Sequence, residues 1–91
     1  MSLTFKWDAD KARTNERKHG VSFDEAATVF GDPLSVAIPD PDHSEDEDRF
    51  ILLGSTYLGR VLVVVHTDRV DNIRIISARL ACKTERRAYE Q

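Results

Sequence analysis

Apolar residues recur at helical spacing near the start of the chain and at every second position later, so the pattern predicts helices first and a sheet afterwards. A short strand is expected at Thr4 to Trp7. Asp8 then offers an N-cap oxygen for a helix running to about Lys18, and Gly20 can close that helix in the left-handed conformation. Its stripe of Ala9, Ala12 and Glu16 is thin, which predicts a surface helix holding Lys11, Arg13, Arg17 and Lys18 in water. Ser22 and Glu25 have capping-box spacing, and Phe23, Ala26, Ala27 and Phe30 follow at i, i+3, i+4 and i+7 as a core stripe that Gly31-Asp32-Pro33 ends. Alternation predicts strands at Leu34 to Ile38, Arg49 to Ser55, Arg60 to Thr67 and Asn72 to Arg79. The segments Tyr57-Leu58-Gly59 and Asp68-Arg69-Val70-Asp71 are hairpin-sized, so the last three strands should form an antiparallel meander. A closing helix over Lys83 to Glu90 completes the expected α+β fold: an antiparallel sheet of four to five strands, two N-terminal helices and one C-terminal helix.

At 91 residues, this is the length of one domain, spanning 1–91. The net charge of −3 argues against a polyanionic partner until the acids are located. Six of the nine residues from Asp40 to Asp48 are acidic, and without them 13 bases face 10 acids, so the rest of the surface is mildly basic. The single Cys82 excludes an internal disulfide, and one Cys with three scattered His residues makes no metal motif, so neither a metal nor another cofactor is expected. The first residues lack the charged and apolar regions of a secretory signal, and no apolar run approaches the roughly 20 residues of a membrane span. The expectation is a cytoplasmic protein.

Along Arg60 to Thr67, Val61, Val63 and Val65 share one strand face, while Arg60, Leu62, Val64 and His66 share the other. Helices should cover the purely apolar face. That places His66 on an open face, where neighbouring strands could add Arg49 and Arg74 or Arg79 in a register that the sequence leaves open. Metal-free RNA cleavage needs a base for the ribose 2′-OH, a cation for the charged phosphorane and an acid for the leaving 5′-oxygen. Imidazole and guanidinium suit those tasks. The competing reading of a lone strand histidine is a half-exposed structural residue. His19 has two readings as well, a functional contact or a cation near helix carbonyls. His43 is read as part of a solvated acidic loop. Lys83, Arg86 and Arg87 are either phosphate ligands or a solvated helix face. Tyr89 stacks on a base or packs. Cys82 lacks an activating context.

Five ordered segments resemble one family. They are Phe5-Lys6-Trp7-Asp8, Lys18-His19-Gly20-Val21-Ser22-Phe23, the acidic loop leading to Asp48-Arg49-Phe50, Gly59-Arg60-Val61-Leu62-Val63-Val64-Val65-His66-Thr67, and Ile73-Arg74-Ile75-Ile76-Ser77-Ala78-Arg79. Together they resemble the BrnT toxins of bacterial toxin–antitoxin pairs across nearly the whole chain. The resemblance implies a RelE-like fold and an endoribonuclease neutralised by a BrnA-type antitoxin, whose ribbon-helix-helix domain would bring the complex to operator DNA. It places Lys18, His19, Arg49, His66, Arg74 and Arg79 at motif positions, and Glu85 to Glu90 resembles the family's basic C-terminal helix. On that basis Arg49 and Arg79 are expected to hold the phosphate, with His66 as acid or base and His19 in reserve. Lys18, Arg74, Lys83, Arg86 and Tyr89 are expected to contact RNA. One departure is Cys82 where a helix-capping Thr would be expected, a change worth about 1 kcal/mol to that helix. Rival readings are a non-catalytic protein-binding module or a degenerate toxin. Direct DNA binding finds no recognition-helix motif in this chain.

Overall fold

The computed structural model describes residues 3–40 and 49–90; most of the acidic loop, His43 included, lies outside the described residues. The elements in chain order are β1 (Phe5–Lys6), α1 (Ala9–His19), α2 (Phe23–Ala27), β2 (Val36–Pro39), β3 (Arg49–Ser55), β4 (Val61–Asp68), β5 (Ile73–Leu80) and α3 (Lys83–Tyr89). The α+β expectation holds. Asp8 caps α1 by accepting from the amides of Asp10 and Lys11, and Gly20 ends it at φ 70° with its N–H on the Glu16 carbonyl. Ser22 accepts from the Glu25 amide as half of a capping box, whereas the Glu25 carboxylate turns to the sheet. A tight 3-10 turn over Thr28–Gly31 extends α2. This turn lies close over Gly54 of β3, where an added Cβ would come within 2.9 Å of the Val29 side chain. Among the described residues no helix is long and apolar enough to cross a membrane.

The five strands are ordered β1-β5-β4-β3-β2. Pairing is antiparallel throughout except for β1, which runs parallel to β5. The expected all-antiparallel sheet is corrected at that edge. β1 reaches the sheet through α1 and α2 and not through a hairpin, so no turn fixes its direction.

A second correction concerns which face of β4 the helices cover. Leu62, Val64 and His66 point into the core, where Val21, Phe23, Ala26 and Val29 meet Leu52, Ile75 and Ala78. Reading the wholly apolar Val61, Val63 and Val65 as the helix-covered face fails because β4 is apolar on both sides. Arg60 precedes the strand, and His66 sits at the rim of the core between two phenylalanines. Burying apolar area at about 25 cal/mol per Å² makes the Leu62 and Val64 side the one that carries the domain's stability.

A bulge settles the register of β5. Val65 pairs with Ser77 and His66 with Ile75, which leaves Ile76 as an extra residue and resets the alternation. Ile73, Ile75 and Ala78 consequently face the core, and Arg74, Ser77 and Arg79 share the opposite face. Beyond the two residues paired with β1, the outer edge of β5 is closed by a side chain. Asn15 of α1, almost fully buried, donates to the carbonyls of Ala78 (2.8 Å) and Val21 (3.1 Å) and accepts from the Ala78 amide (3.1 Å).

Candidate nucleic-acid interface

Strand register builds a polar row across the sheet face turned away from α1 and α2. Lys6 of β1 pairs with Arg74 of β5, Arg74 with Thr67 of β4, and Thr67 with Arg49 of β3. Directly paired residues project to the same side, so three cationic side chains and one hydroxyl stand in line. With strands about 4.8 Å apart, Arg49 and Arg74 are roughly 10 Å apart at their backbones, near enough for both guanidiniums to converge over Thr67. Among the described residues neither arginine has a carboxylate partner, so each keeps its fork of donors for a ligand. Thr67 is only 1% exposed, and its Oγ1 has no hydrogen-bond partner.

Arg79 shares this face but pairs with Val63, four residues along β4 from Thr67, or roughly 13 Å away. Its guanidinium forks onto both carboxylate oxygens of Glu85 in α3, at 2.9 Å each. That pairing, helped by the Cys82 backbone N–H at 2.8 Å, pulls the Glu85 carboxyl down to about 2. Glu85 thus supplies its half of a capping box despite Cys82 at the cap. Beside the pair lies an apolar cavity of about 360 Å³ under α3, lined by Val36, Ile38, Ile51, Leu53 and Val63.

The expected partnership of His66 with the arginines is corrected. His66 is 6% exposed on the helix-covered side, edge-on to Phe30 (ring centroids 4.8 Å) and stacked with Phe50 (6.0 Å). Its strand partner is Phe50, whereas Arg49 pairs with Thr67 on the opposite face. Burial pushes the imidazole below its ordinary pKa, and the Val64 backbone and the charge of Asp68 offset this only in part. A neutral ring walled in by aromatics is therefore expected at pH 7. The unfolded chain takes up this proton near pH 6.5 and the folded one only lower, so stability should decline as pH falls from about 6.5 through the depressed value. An NMR titration of His66 should give a midpoint below 6.5; a midpoint at or above it would contradict this environment.

His19 and Lys18 occupy the last turn of α1 and, with Lys11, Thr14 and Ser77, line a cleft of about 330 Å³. Ser77 joins this cleft to the sheet face, since its pairing with Val65 places it on the same side as Arg74 and Arg79. His19 is thus the described histidine that borders the cationic face. The α3 residues lie elsewhere. Lys83 and Arg86 are exposed, and Arg86 lines a cavity with Gly59 and Arg60 at the end of the sheet opposite Thr67. The Tyr89 hydroxyl donates to Asp32, which ties α3 to the turn before β2. The sequence reading missed Lys6, Thr67 and Ser77. Thr67 continues the period of Val61, Val63 and Val65, and that alternation was the available signal. Among the described residues no three His, Cys, Asp or Glu side chains cluster as metal ligands would.

None of the curated proteins matches the chain. In fold it is similar to the 1.1 Å crystal structure of the Brucella abortus ribonuclease toxin, BrnT, with a TM-score of 0.65 and 21% identity, over 90% of this chain and 100% of that one. Residues 7–85 match the family profile described as the ribonuclease toxin, BrnT, of type II toxin–antitoxin systems. That match runs from Trp7, just before the cap of α1, to Glu85, the partner of Arg79, and so takes in Arg74, Thr67, Arg49 and the α1 cleft. The chain belongs to the BrnT family of ribonuclease toxins, endoribonucleases that are paired with an antitoxin.

Proposed function

We propose that this toxin cleaves RNA in the cytoplasm without a metal ion, on the sheet face that carries Arg49, Thr67 and Arg74. The observation that supports this most is the pairing of Arg49 and Arg74 with the same residue of β4, neither of them held by a carboxylate. A phosphodiester between them gains two forked cations, which stabilise the extra negative charge as the 2′-oxygen attacks phosphorus. The 2′-oxygen–phosphorus bond forms as the phosphorus–5′-oxygen bond breaks, leaving a cyclic phosphate and a 5′-hydroxyl. One proton leaves the 2′-OH and one reaches the 5′-oxygen. His19 is the imidazole placed to handle a proton, and Lys18 beside it extends the cationic border of the cleft. Arg79, engaged by Glu85, holds α3 in place. The antitoxin in this reading is of BrnA type, with a ribbon-helix-helix domain through which the pair reaches DNA.

Purified protein freed of antitoxin should cleave single-stranded RNA in the presence of a chelator. His19→Ala should slow that cleavage roughly 100-fold or more, whereas His66→Phe should keep most of it. Intact RNA alongside an active control toxin, or full activity of His19→Ala, would overturn the assignment. The partner is tested by co-purification with the antitoxin and an operator shift by the complex; a shift by this chain alone would contradict it.

A further inference from the structure

We infer that the buried hydroxyl of Thr67 is a positioning donor for the RNA phosphate, the floor of a three-point seat whose walls are Arg49 and Arg74. The inference rests on the nuclease reading above and adds a residue to it. Thr67 lies in the middle of the row, directly paired to both arginines, and is sealed to 1% exposure with its Oγ1 unbonded. A buried hydroxyl without a partner costs stability, and such orphans are scarce in folded proteins. Valine has nearly the same shape, suits a strand and fills the site without that cost. The hydroxyl is thus a local defect in the free protein. It becomes an asset once an acceptor arrives.

The acceptor that fits is an anion with several oxygens. A ligand drawn in by two guanidiniums presents oxygens to both forks, and a further oxygen of a phosphate then points at the sheet, where Oγ1–H can donate to it. Backbone amides cannot do this at mid-sheet, because β4 is flanked by paired strands on both sides and its N–H groups are spent on the ladder. Neither arginine is anchored by an ion pair among the described residues, so both guanidiniums are available to an anion. Of the charged groups nearby, Lys6 extends the row on the β1 side and favours the same charge of ligand, while Asp40, whose amide donates to the Arg49 carbonyl, stands at the β2 end. Asp68, next along β4, alternates away to the other face.

Two conservative substitutions separate this role from packing. Thr67→Val should raise the melting temperature, because it removes an unsatisfied polar atom. It should also lower kcat/KM for RNA at least tenfold and weaken binding of an uncleavable 2′-O-methyl oligonucleotide by a similar factor. Thr67→Ser, which restores the donor in a smaller side chain, should stay within about threefold of the wild type in both assays. A higher melting temperature with loss of binding is a combination that a packing role does not produce. Unchanged cleavage and binding in Thr67→Val would overturn the inference, as would a parallel loss of stability and activity in both variants. Should the wild type fail to cleave RNA, the nuclease reading fails, and the oligonucleotide still decides the seat. Tight binding lost in Thr67→Val supports the seat, and no wild-type binding overturns it.

Discussion

Replacing Arg49 and Arg74 together by alanine is expected to leave a protein that melts like the wild type and cleaves RNA at least about a thousandfold more slowly. The stability half follows from their position. Both are half-buried on the sheet face away from the core, and neither has an ion pair among the described residues whose loss would strand a partner. Such surface changes usually fall within about 0.5 kcal/mol. The activity half follows from the charge that builds on phosphorus as the 2′-oxygen attacks. Removing one preorganised donor from a site of that kind commonly costs about 100-fold to 1,000-fold, and here two go together. Lysine at both positions should recover only part of the rate, because an ammonium is a point charge and cannot fork onto two oxygens. Single-turnover cleavage of a labelled RNA beside thermal melts reads both halves. A double variant within tenfold of the wild type would remove the row from the reaction.

The second large effect is on folding. Glu25→Ala should cost about 2–4 kcal/mol, which for a domain this small shifts the melting temperature by roughly 10–30 °C. Glu25 is buried in α2, where its carboxylate accepts from the Thr56 hydroxyl (2.9 Å) and from Nε (2.8 Å) and Nη2 of Arg60. Arg60 also donates to the Gly20 carbonyl at 3.2 Å, so one carboxylate joins α2 and the close of α1 to the hairpin between β3 and β4. Alanine would leave the buried Thr56 hydroxyl without its acceptor and Arg60 without its counter-ion; the partial exposure of Arg60 keeps the loss below that of a fully buried pair. The Arg60 hydrogen bond is the main cause of a Glu25 pKa below its ordinary value of 4.5. The interaction therefore stabilises fully above that pH and fades as pH falls through the lowered value. Urea unfolding of wild type and variant at neutral pH, repeated at pH 3, should show the difference shrinking in acid. A neutral-pH difference under about 1 kcal/mol would show that Glu25 does not hold these elements together.

Local chemistry was legible in the sequence, and long-range geometry was legible only in part. Asp8 and Gly20 mark the ends of α1 because capping is decided within a few residues, and β3 begins at Arg49 and ends at Ser55 as alternation indicates. The resemblance to BrnT toxins placed Arg49, Arg74, His19 and Lys18, with His66 and Arg79, at motif positions, and the fold brings the first two into one row and the next two into one cleft. What the pattern could not carry was parity. Ile76 bulges out of β5, so a period of two reads correctly on either side of it and wrongly across it. The choice of face on β4 failed for a related reason: with valines on one side and Leu62 and Val64 on the other, hydrophobicity does not discriminate. His66 was carried to the wrong side by that choice. The partners of Glu25 and Glu85 and the parallel docking of β1 lie 35, 6 and 68 residues away along the chain, as with Arg60, Arg79 and Ile73. Periodicity is blind to all three.

The clasp between Asn15 and the edge of β5 bears on how the two parts of the proposed site stay in register. Asn15 stands one helical turn before His19, a lever arm of about 6 Å. Its carboxamide grips the backbone of Ala78, next to Ser77 on the strand that presents Arg74. The helix carrying the proposed proton carrier is therefore indexed to the strand carrying the proposed phosphate grip by one amide group. Sliding α1 along β5 by even a single residue would break both of those bonds at once, so the clasp resists shear between the two parts of the proposed site.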